Sequence, residues 1–258
     1  MRRPPWWVSG IAGAALFLLH LPVVVLMAFS FNASRFSMEW SGFTLIWYAR
    51  LLERGDILEA LRASLVVALA STALATALGT LIALALARHA FPGRRVYQGL
   101  LYLPIVTPEI VVGISLLVLF AAAGVQLGLG TITIAHVAFN ISFVAVVVLA
   151  RLQGMGRDLE EAAMDLGARP WTTFFRITLP QILPGVVAGA LLAFTMSFDD
   201  FVITFFVAGV GSTTLPLLVY SMVRRGVEPT INAISTIILV VTTVAILVAY
   251  RLREGRSA

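Results

Sequence analysis

Long apolar runs separated by short polar stretches dominate the chain. A helix needs about 20 predominantly apolar residues to cross a bilayer, and six runs reach that length. They extend from Trp7 to Phe29, Leu61 to Ala87, Val96 to Ala123, Thr131 to Ala150, Ile182 to Val207 and Ile231 to Tyr250. The pattern predicts an all-α integral membrane protein with six transmembrane helices. The first run is longer than the apolar segment of a signal peptide and has no clear small-residue cleavage site, so we expect it to be retained.

Composition supports this class and excludes several others. Hydrophobic residues make up 60% of the 258 residues and charged residues 12%, which is too apolar for a soluble domain of this size. The net charge of +5 rests on arginine alone, and the arginines lie at segment ends rather than in a nucleic-acid-binding cluster. The absence of cysteine excludes disulfides, thiolate metal sites and cysteine nucleophiles. The separated histidines His20, His89 and His136 have no metal-ligand spacing, so we expect packed or interfacial side chains.

The distribution of arginines predicts how the chain lies in the membrane. With the N-terminus in the cytoplasm, twelve arginines fall in cytoplasmic segments and six in outer segments. The six outer residues are Arg35, Arg50, Arg54, Arg62, Arg224 and Arg225. Because cytoplasmic segments carry an excess of basic residues, we expect both termini and the loop between the fourth and fifth spans to be cytoplasmic.

That loop contains the polar stretch EEAAMDLGARPWTTFFRITLP at residues 160–180. The segments 158–164 and 170–175 are each long enough for a short helix, and Gly167 between them supplies the freedom for a tight turn. Pro170 suits the first turn of the second helix, and Pro180 suits the start of the next span. The loop is predicted to form a helix-turn-helix across the membrane face. Alternatively, two interfacial helices cap the bundle with Trp171, Phe174 and Phe175 in the lipid headgroups.

The spacing of this loop resembles a known motif. Glu161, Ala162 and Ala163 are followed after three residues by Gly167, and after nine more by Ile177, Thr178, Leu179 and Pro180. This arrangement resembles the complete EAA motif of permease subunits in bacterial ABC importers. The resemblance implies the MetI-like permease fold, as a single transmembrane domain over residues 1–258 with a core at about 57–252. It also implies that the loop at 155–180, here called the coupling loop, docks into a cleft of a cytoplasmic ATPase.

The same resemblance implies partners. The chain has no G-x-x-x-x-G-K-[ST] loop for binding ATP, so ATP and Mg²⁺ are expected on a separate ABC ATPase dimer and no cofactor is expected in this chain. The family also implies a second permease subunit, identical or different, and an extracytoplasmic substrate-binding protein. The expected location is the bacterial inner membrane, in contact with lipid. The resemblance implies a transport protein and not an enzyme.

Three carboxylates lie within predicted spans. Glu109 belongs to the third, just after Pro104 and Pro108, and Asp199 and Asp200 belong to the fifth. Each charge at mid-membrane costs about 2.5–3.5 kcal/mol, and the one arginine within a predicted run, Arg62, lies at its outer end. Helix rise places Glu109 about 20 Å and Asp199 about 26 Å from the cytoplasmic ends of their helices, so they can share one layer.

These carboxylates have two interpretations. They line a transport pathway, with at most one of the adjacent aspartates pointing into it, because neighbouring helical residues project about 100° apart. Alternatively, the aspartates pair with Arg224 or Arg225, or cap a helix end near Gly209.

A second resemblance concerns the cargo. The stretches SFDDFVITFFVAG, TLPLLVYSMVRRGVEPTINAISTI and WYARLLERGDILEALRASL are similar to spermidine/putrescine permeases, although Ala63 stands where that pattern more often has Asn. The resemblance implies a polycation path formed by Glu109, Ser197, Asp199 and Asp200. Trp47 is a candidate aromatic face for the cation near the entrance, or else an interfacial anchor.

Other functions stay open at this point. Related permeases carry iron, thiamine, phosphonate or sulfate. An ion-coupled carrier or a passive channel would explain buried carboxylates but not a complete EAA motif. An intramembrane enzyme would need a nucleophile or metal motif beside the carboxylates.

Overall fold

The computed structural model describes residues 5–35, 39–225 and 229–254, which form α-helices joined by short connections. The helices are α1 Trp6–Phe29, α2 Ile46–Glu53, α3 Gly55–Arg88, α4 Arg94–Val106, α5 Glu109–Ala122, α6 Leu129–Gln153, α7 Asp158–Asp165, α8 Pro170–Thr173, α9 Leu179–Phe198, α10 Val202–Val207, α11 Leu215–Arg225 and α12 Pro229–Glu254. Residues Phe174–Thr178 form a π-helical turn between α8 and α9. The predicted all-α class is confirmed for these residues, whose one β-contact is an isolated bridge between Asn32 and Phe43.

Several helices match the predicted spans. Four described segments are long and apolar enough to cross a membrane, namely Trp7–Phe29, Gly55–Arg88, Leu129–Gln153 and Pro170–Phe198. The helices α4 and α5 together would make a fifth, and α12 covers the sixth predicted run. The structure therefore contains four or five candidate spans among the described residues, while the total of six stays a prediction.

The third predicted span is not one straight helix. The chain bends by 107° between α4 and α5, at Thr107 and Pro108. Thr107 is extended, with φ −80° and ψ 131°, because a proline disfavours the helical conformation in the residue before it. Of the two prolines in this run, Pro104 lies inside α4, and only Pro108 breaks the helix, which places Glu109 at the start of a new one.

The fifth predicted span is also divided. The helix α9 ends at Phe198, and α10 begins at Val202, so the predicted helix from Ile182 to Val207 is wrong in its last third. The break coincides with the two aspartates. Asp200 accepts backbone N–H bonds from Ile203 at 3.3 Å and Thr204 at 2.7 Å, which satisfies the free donors at the start of α10.

Contacts divide the chain into two compact units, one formed by Met1–Leu58 with Val219–Ala258 and the other by Glu59–Leu218. In the first unit, α12 packs against α1 and α2. The indole of Trp47 on α2 donates a hydrogen bond of 2.7 Å to the Asn32 carbonyl. This bond holds α2 against the connection that follows α1.

Small residues bring three long helices of the second unit into close contact. A Cβ atom added to Gly79 on α3 would lie 2.8 Å from Val144 Cβ on α6, and one added to Gly189 on α9 would lie 3.3 Å from Val144 Cγ1. Gly185, four residues before Gly189, packs against the stem of Arg151. Glycines at this spacing let helix backbones approach closely in membranes. The result is a tight α3–α6–α9 core, on which the polar groups described next are positioned.

Candidate functional site

The three predicted pathway carboxylates lie together where two helices begin. The helices α5 and α10 pack so closely that a Cβ atom on Gly113 would lie 2.7 Å from Phe206 Cδ2 and 3.3 Å from Ile203 Cα. Glu109 is the first residue of α5, and Asp199 and Asp200 lie in the break between α9 and α10, with Phe201 between them and α10. Gly113 lies four residues after Glu109, and Ile203 lies four residues after Asp199, so this contact brings the three carboxylates into the same region. The structure therefore brings together residues that are 90 positions apart in sequence.

The two adjacent aspartates have different environments. Asp199 is exposed, as is Glu109, whereas the side chain of Asp200 is 8% exposed. In addition to its two backbone bonds, Asp200 Oδ2 accepts a hydrogen bond of 2.7 Å from Thr204 Oγ1 and lies 3.2 Å from His136 Nε2. Asp200 thus caps α10 from inside the second unit, and Asp199 faces out of it. Of the alternatives for these aspartates, the capped helix end is the start of α10, not the end near Gly209.

His136 on α6 is the centre of a buried polar network that joins α6 to three other helices. Its Nδ1 atom lies 2.6 Å from Ser197 Oγ on α9, and Ser197 Oγ lies 2.8 Å from Ser71 Oγ on α3. Its Nε2 atom lies 3.0 Å from Thr204 Oγ1 on α10. The network is satisfied when Nε2–H donates toward Asp200 and Thr204, and Nδ1 accepts from the Ser197 hydroxyl. The network connects the carboxylate cluster to the helix core.

The other predicted pathway residues, Ser197 and Trp47, are both buried. Ser197 is buried, and its hydroxyl belongs to the His136 network. Trp47 is 5% exposed, belongs to the first unit, and has the Arg50 guanidinium 5.1 Å from its ring centroid. The Arg224 guanidinium lies over the Tyr220 ring, and the Arg225 side chain is outside the described residues. The pathway roles assigned to these residues remain predictions.

The coupling loop forms two short helices with a glycine turn between them. Gly167 has a φ of +87°, a left-handed conformation that glycine adopts without strain. Its N–H donates to the Met164 carbonyl at 2.9 Å, and the Ala168 N–H donates to the Ala163 carbonyl at 3.0 Å. These two bonds are the Schellman arrangement that ends a helix. The predicted helices 158–164 and 170–175 are therefore correct in position, but the second continues through the π turn into α9.

The EAA positions lie on or near the free side of this loop. Glu161, Ala162, Gly167 and Pro180 are exposed, and Ala163, Ile177 and Leu179 are partly buried. Beside them, Leu166 is 90% and Trp171 74% exposed. Ala163, Gly167 and Ile177 also line an open groove of about 350 Å³. Exposed apolar groups around a groove are typical of a docking surface.

Sequence reasoning missed several side chains of both regions. The buried bonds of His136 with Ser197 and Thr204 were not predicted, and neither was the pair between Arg88 and Glu160, whose Nη2 and Oε1 atoms lie 2.9 Å apart. A histidine within an apolar span is itself a signal, because an intramembrane ionisable residue needs a partner. The identity of that partner depends on the packing of helices far apart in sequence.

The fold is that of ABC importer proteins. A chain of a bacterial ABC transporter that imports the acidic polysaccharide alginate superposes with a TM-score of 0.70 at 14% identity, covering 99% of this chain and 98% of that one. A chain of the MetNI methionine ABC transporter superposes with a TM-score of 0.60 at 20% identity, covering 81% of this chain and 97% of that one.

Sequence comparison is more specific. Residues 75–254 match the family described as binding-protein-dependent transport system inner membrane component. The spermidine/putrescine transport system permease protein PotC of Escherichia coli K12 is 42% identical, over 96% of this chain and 94% of that protein. The putrescine transport system permease protein PotI of the same strain is 43% identical, over 92% of this chain and 86% of that protein.

The chain therefore belongs to the family of inner-membrane components of binding-protein-dependent transport systems. This confirms the family suggested by the EAA motif, together with its transport role and membrane location. The relatives are named as permease proteins rather than enzymes.

Proposed function

We propose that the chain is the permease subunit of an ATP-driven polyamine importer and forms half of its translocation path. The observation that carries the proposal is 42–43% identity over nearly the whole chain to permeases for spermidine and putrescine. The clustered carboxylates of α5 and α10 support it, because a linear polycation needs negative charge along its path.

Glu109 and Asp199 are the groups that face the cargo in this proposal. Both are exposed in the single chain, and an ionised carboxylate against lipid is costly. Their exposed side is therefore a surface that a second permease encloses, leaving a path between the two subunits. Asp200 supports the pair from behind, because His136 and Thr204 already occupy its oxygen atoms.

The membrane arrangement follows from the arginine distribution. We infer six spans, with α4 and α5 forming one bent span and both termini in the cytoplasm. This orientation places the coupling loop in the cytoplasm. There its exposed face, centred on Glu161, Ala162 and Gly167, binds one subunit of an ABC ATPase dimer that carries ATP and Mg²⁺. An extracytoplasmic binding protein delivers the cargo to the opposite side.

Uptake by reconstituted transporter tests the cargo assignment. Glu109→Gln and Asp199→Asn keep the shape of each side chain while removing its charge, so we expect each to reduce spermidine and putrescine uptake at least about tenfold, equivalent to about 1.4 kcal/mol. Complex yield should not change, because both groups are exposed. Glu59→Gln, an exposed carboxylate near the start of α3, is the matched control and should transport normally.

Two results would contradict this proposal. Full polyamine uptake in both neutral variants would remove the carboxylate path. Wild-type transport of sulfate, phosphonate, thiamine or iron, without transport of spermidine or putrescine, would assign the chain to another cargo of the same family.

A further inference from the structure

We propose that Glu160 is a positioning residue that ties the coupling helix α7 to the ends of α3 and α9, and so transmits movement of the ATPase to two membrane helices. The proposal rests on the docking function proposed above for the coupling loop. It concerns a residue that lies outside the fixed positions of the EAA motif.

One oxygen atom of Glu160 makes both connections. Its Oε1 accepts a hydrogen bond of 2.9 Å from Arg88 Nη2 and another of 2.9 Å from Thr178 Oγ1. Arg88 is the last residue of α3, and Thr178 is the last residue before α9. A displacement of α7 therefore acts directly on the ends of both long helices.

These bonds differ from ordinary surface ion pairs. The side chains of Arg88 and Glu160 are only 11% and 13% exposed, and Thr178 is 5% exposed. Surface pairs contribute little because water and salt screen them, whereas partly buried charge-assisted bonds are stronger. Arg157, at the start of α7, adds a second link by donating from Nη2 to the Arg88 carbonyl at 3.3 Å.

The side chains around the bonds of Glu160 are not closely packed, so these bonds are more important for holding α7 in place. An open pocket of about 300 Å³ lies beside the tie, and Leu84, Met164 and Phe174 contribute to its lining together with Glu160. Apolar side chains beside an open cavity make fewer contacts to resist displacement than a close-packed core does. The polar bonds of Glu160 therefore carry more of the connection between α7 and the helices behind it.

Adjacent residues provide a matched pair for testing this role. Glu160 is partly buried against the membrane helices, and Glu161 is exposed on the docking side, because neighbouring helical residues point about 100° apart. Glu160→Gln and Glu161→Gln make the same chemical change one position apart. The first weakens the internal tie, and the second changes the docking surface.

The test uses the complete transporter, with its ATPase, second permease and binding protein, in proteoliposomes. Spermidine uptake and ATP hydrolysis are measured on the same samples. For Glu160→Gln we expect normal co-purification of the ATPase and a fall of at least about threefold in spermidine imported per ATP hydrolysed, because a bond to a charged group is lost. For Glu161→Gln we expect weaker ATPase association, with an unchanged import ratio in the complexes that remain.

A charge-reversed pair separates coupling from folding. If Glu160→Gln lowers the yield of the complex, Arg88→Glu combined with Glu160→Arg should restore part of the import ratio, and failure to restore it would overturn the proposal. An unchanged ratio in Glu160→Gln overturns it as well, as does a loss of ATPase binding equal to that of Glu161→Gln. If Glu160→Gln lowers the import ratio while Glu161→Gln changes neither ATPase association nor the ratio, the tie is supported and the docking contact is made by other residues. A wrong polyamine assignment can be distinguished from a wrong tie, because the wild-type transporter would then import no spermidine.

Discussion

At the residue scale, the adjacent aspartates Asp199 and Asp200 have the same chemistry but opposite environments. Asp199 is exposed, whereas Asp200 accepts bonds from two backbone N–H groups and from the Thr204 hydroxyl, and it contacts His136. A buried carboxylate is tolerated when its oxygen atoms are hydrogen-bonded in this way. The α9–α10 break therefore depends on Asp200, and Asp199 is exposed for the cargo role proposed above.

This difference predicts distinct effects of the same substitution. Asp200→Asn removes the charge and replaces one acceptor oxygen atom with an NH₂ group, which cannot accept a hydrogen bond. We therefore expect a loss of about 1.5–3 kcal/mol of stability and a lower melting temperature of the purified complex. Asp199→Asn should leave the melting temperature unchanged. Equal melting temperatures for the two variants would show that the cap of α10 contributes nothing measurable.

At the scale of elements, the prolines and glycines decide where helices stop and how they continue. Pro108 separates α4 from α5 and Gly167 separates α7 from α8, but Pro104 and Pro184 lie inside helices. Pro108 differs from these two prolines because the residue before it, Thr107, is extended. The chain therefore changes direction there, and Glu109 becomes the first residue of a new helix. Helix ends, rather than helix centres, position the candidate functional groups.

The turn at Gly167 can be tested by two substitutions of different conformational cost. Its φ of +87° disfavours L-residues by about 1–2 kcal/mol and β-branched residues most strongly. Gly167→Val should therefore weaken ATPase association and binding-protein-stimulated ATP hydrolysis in the reconstituted complex. Gly167→Asn is the control, because asparagine tolerates the left-handed region and open space surrounds the position. Normal coupling in Gly167→Val would count heavily against a fixed turn geometry.

At the scale of the whole molecule, much of the apolar surface of the single chain is uncovered. The window of α1 that is apolar enough to span a membrane has none of its residues buried. Such a surface is stable only against lipid or another membrane protein. The exposed carboxylates of the second unit have the opposite requirement, since they need water or a polar partner. The second permease chain proposed above would satisfy them while lipid covers the rest.

Cysteine labelling in intact cells tests the proposed orientation, because the chain has no native cysteine. Ala33→Cys and Val210→Cys occupy exposed positions in the predicted outer loops, and both should react with an impermeant thiol reagent. Ser212 is unsuitable, because it is buried and its hydroxyl bonds the Gly209 backbone. Ser257→Cys, which lies outside the described residues, should react only after the membrane is permeabilised. If only Ser257→Cys reacts in intact cells, the proposed orientation is wrong.

The sequence by itself was sufficient for the helical class, the family and the coupling turn. Apolar runs predict helices because a backbone in lipid must satisfy its own hydrogen bonds, and α1, α3 and α6 lie where the runs predicted them. Gly167 and the EAA spacing are local features, so their turn and their family resemblance can be recognised without knowing what packs nearby. Counting helix rise along unbroken helices placed Glu109 and Asp199 in one layer, but in the structure both residues lie at helix breaks, so their clustering does not come from that count.

Only the tertiary structure decided which polar groups meet. His136, Ser71 and Ser197 are separated by at least 61 residues from one another, and so are Arg88 and Glu160 by 72. Whether such groups meet depends on close approach of α3, α6 and α9 at Gly79 and Gly189, which no local pattern specifies. The bend of 107° at Pro108 likewise depends on packing against α10, since a proline alone permits a range of angles. Side chains on helices far apart in sequence pair only when packing brings the two backbones close together, so these pairs are determined by the tertiary structure.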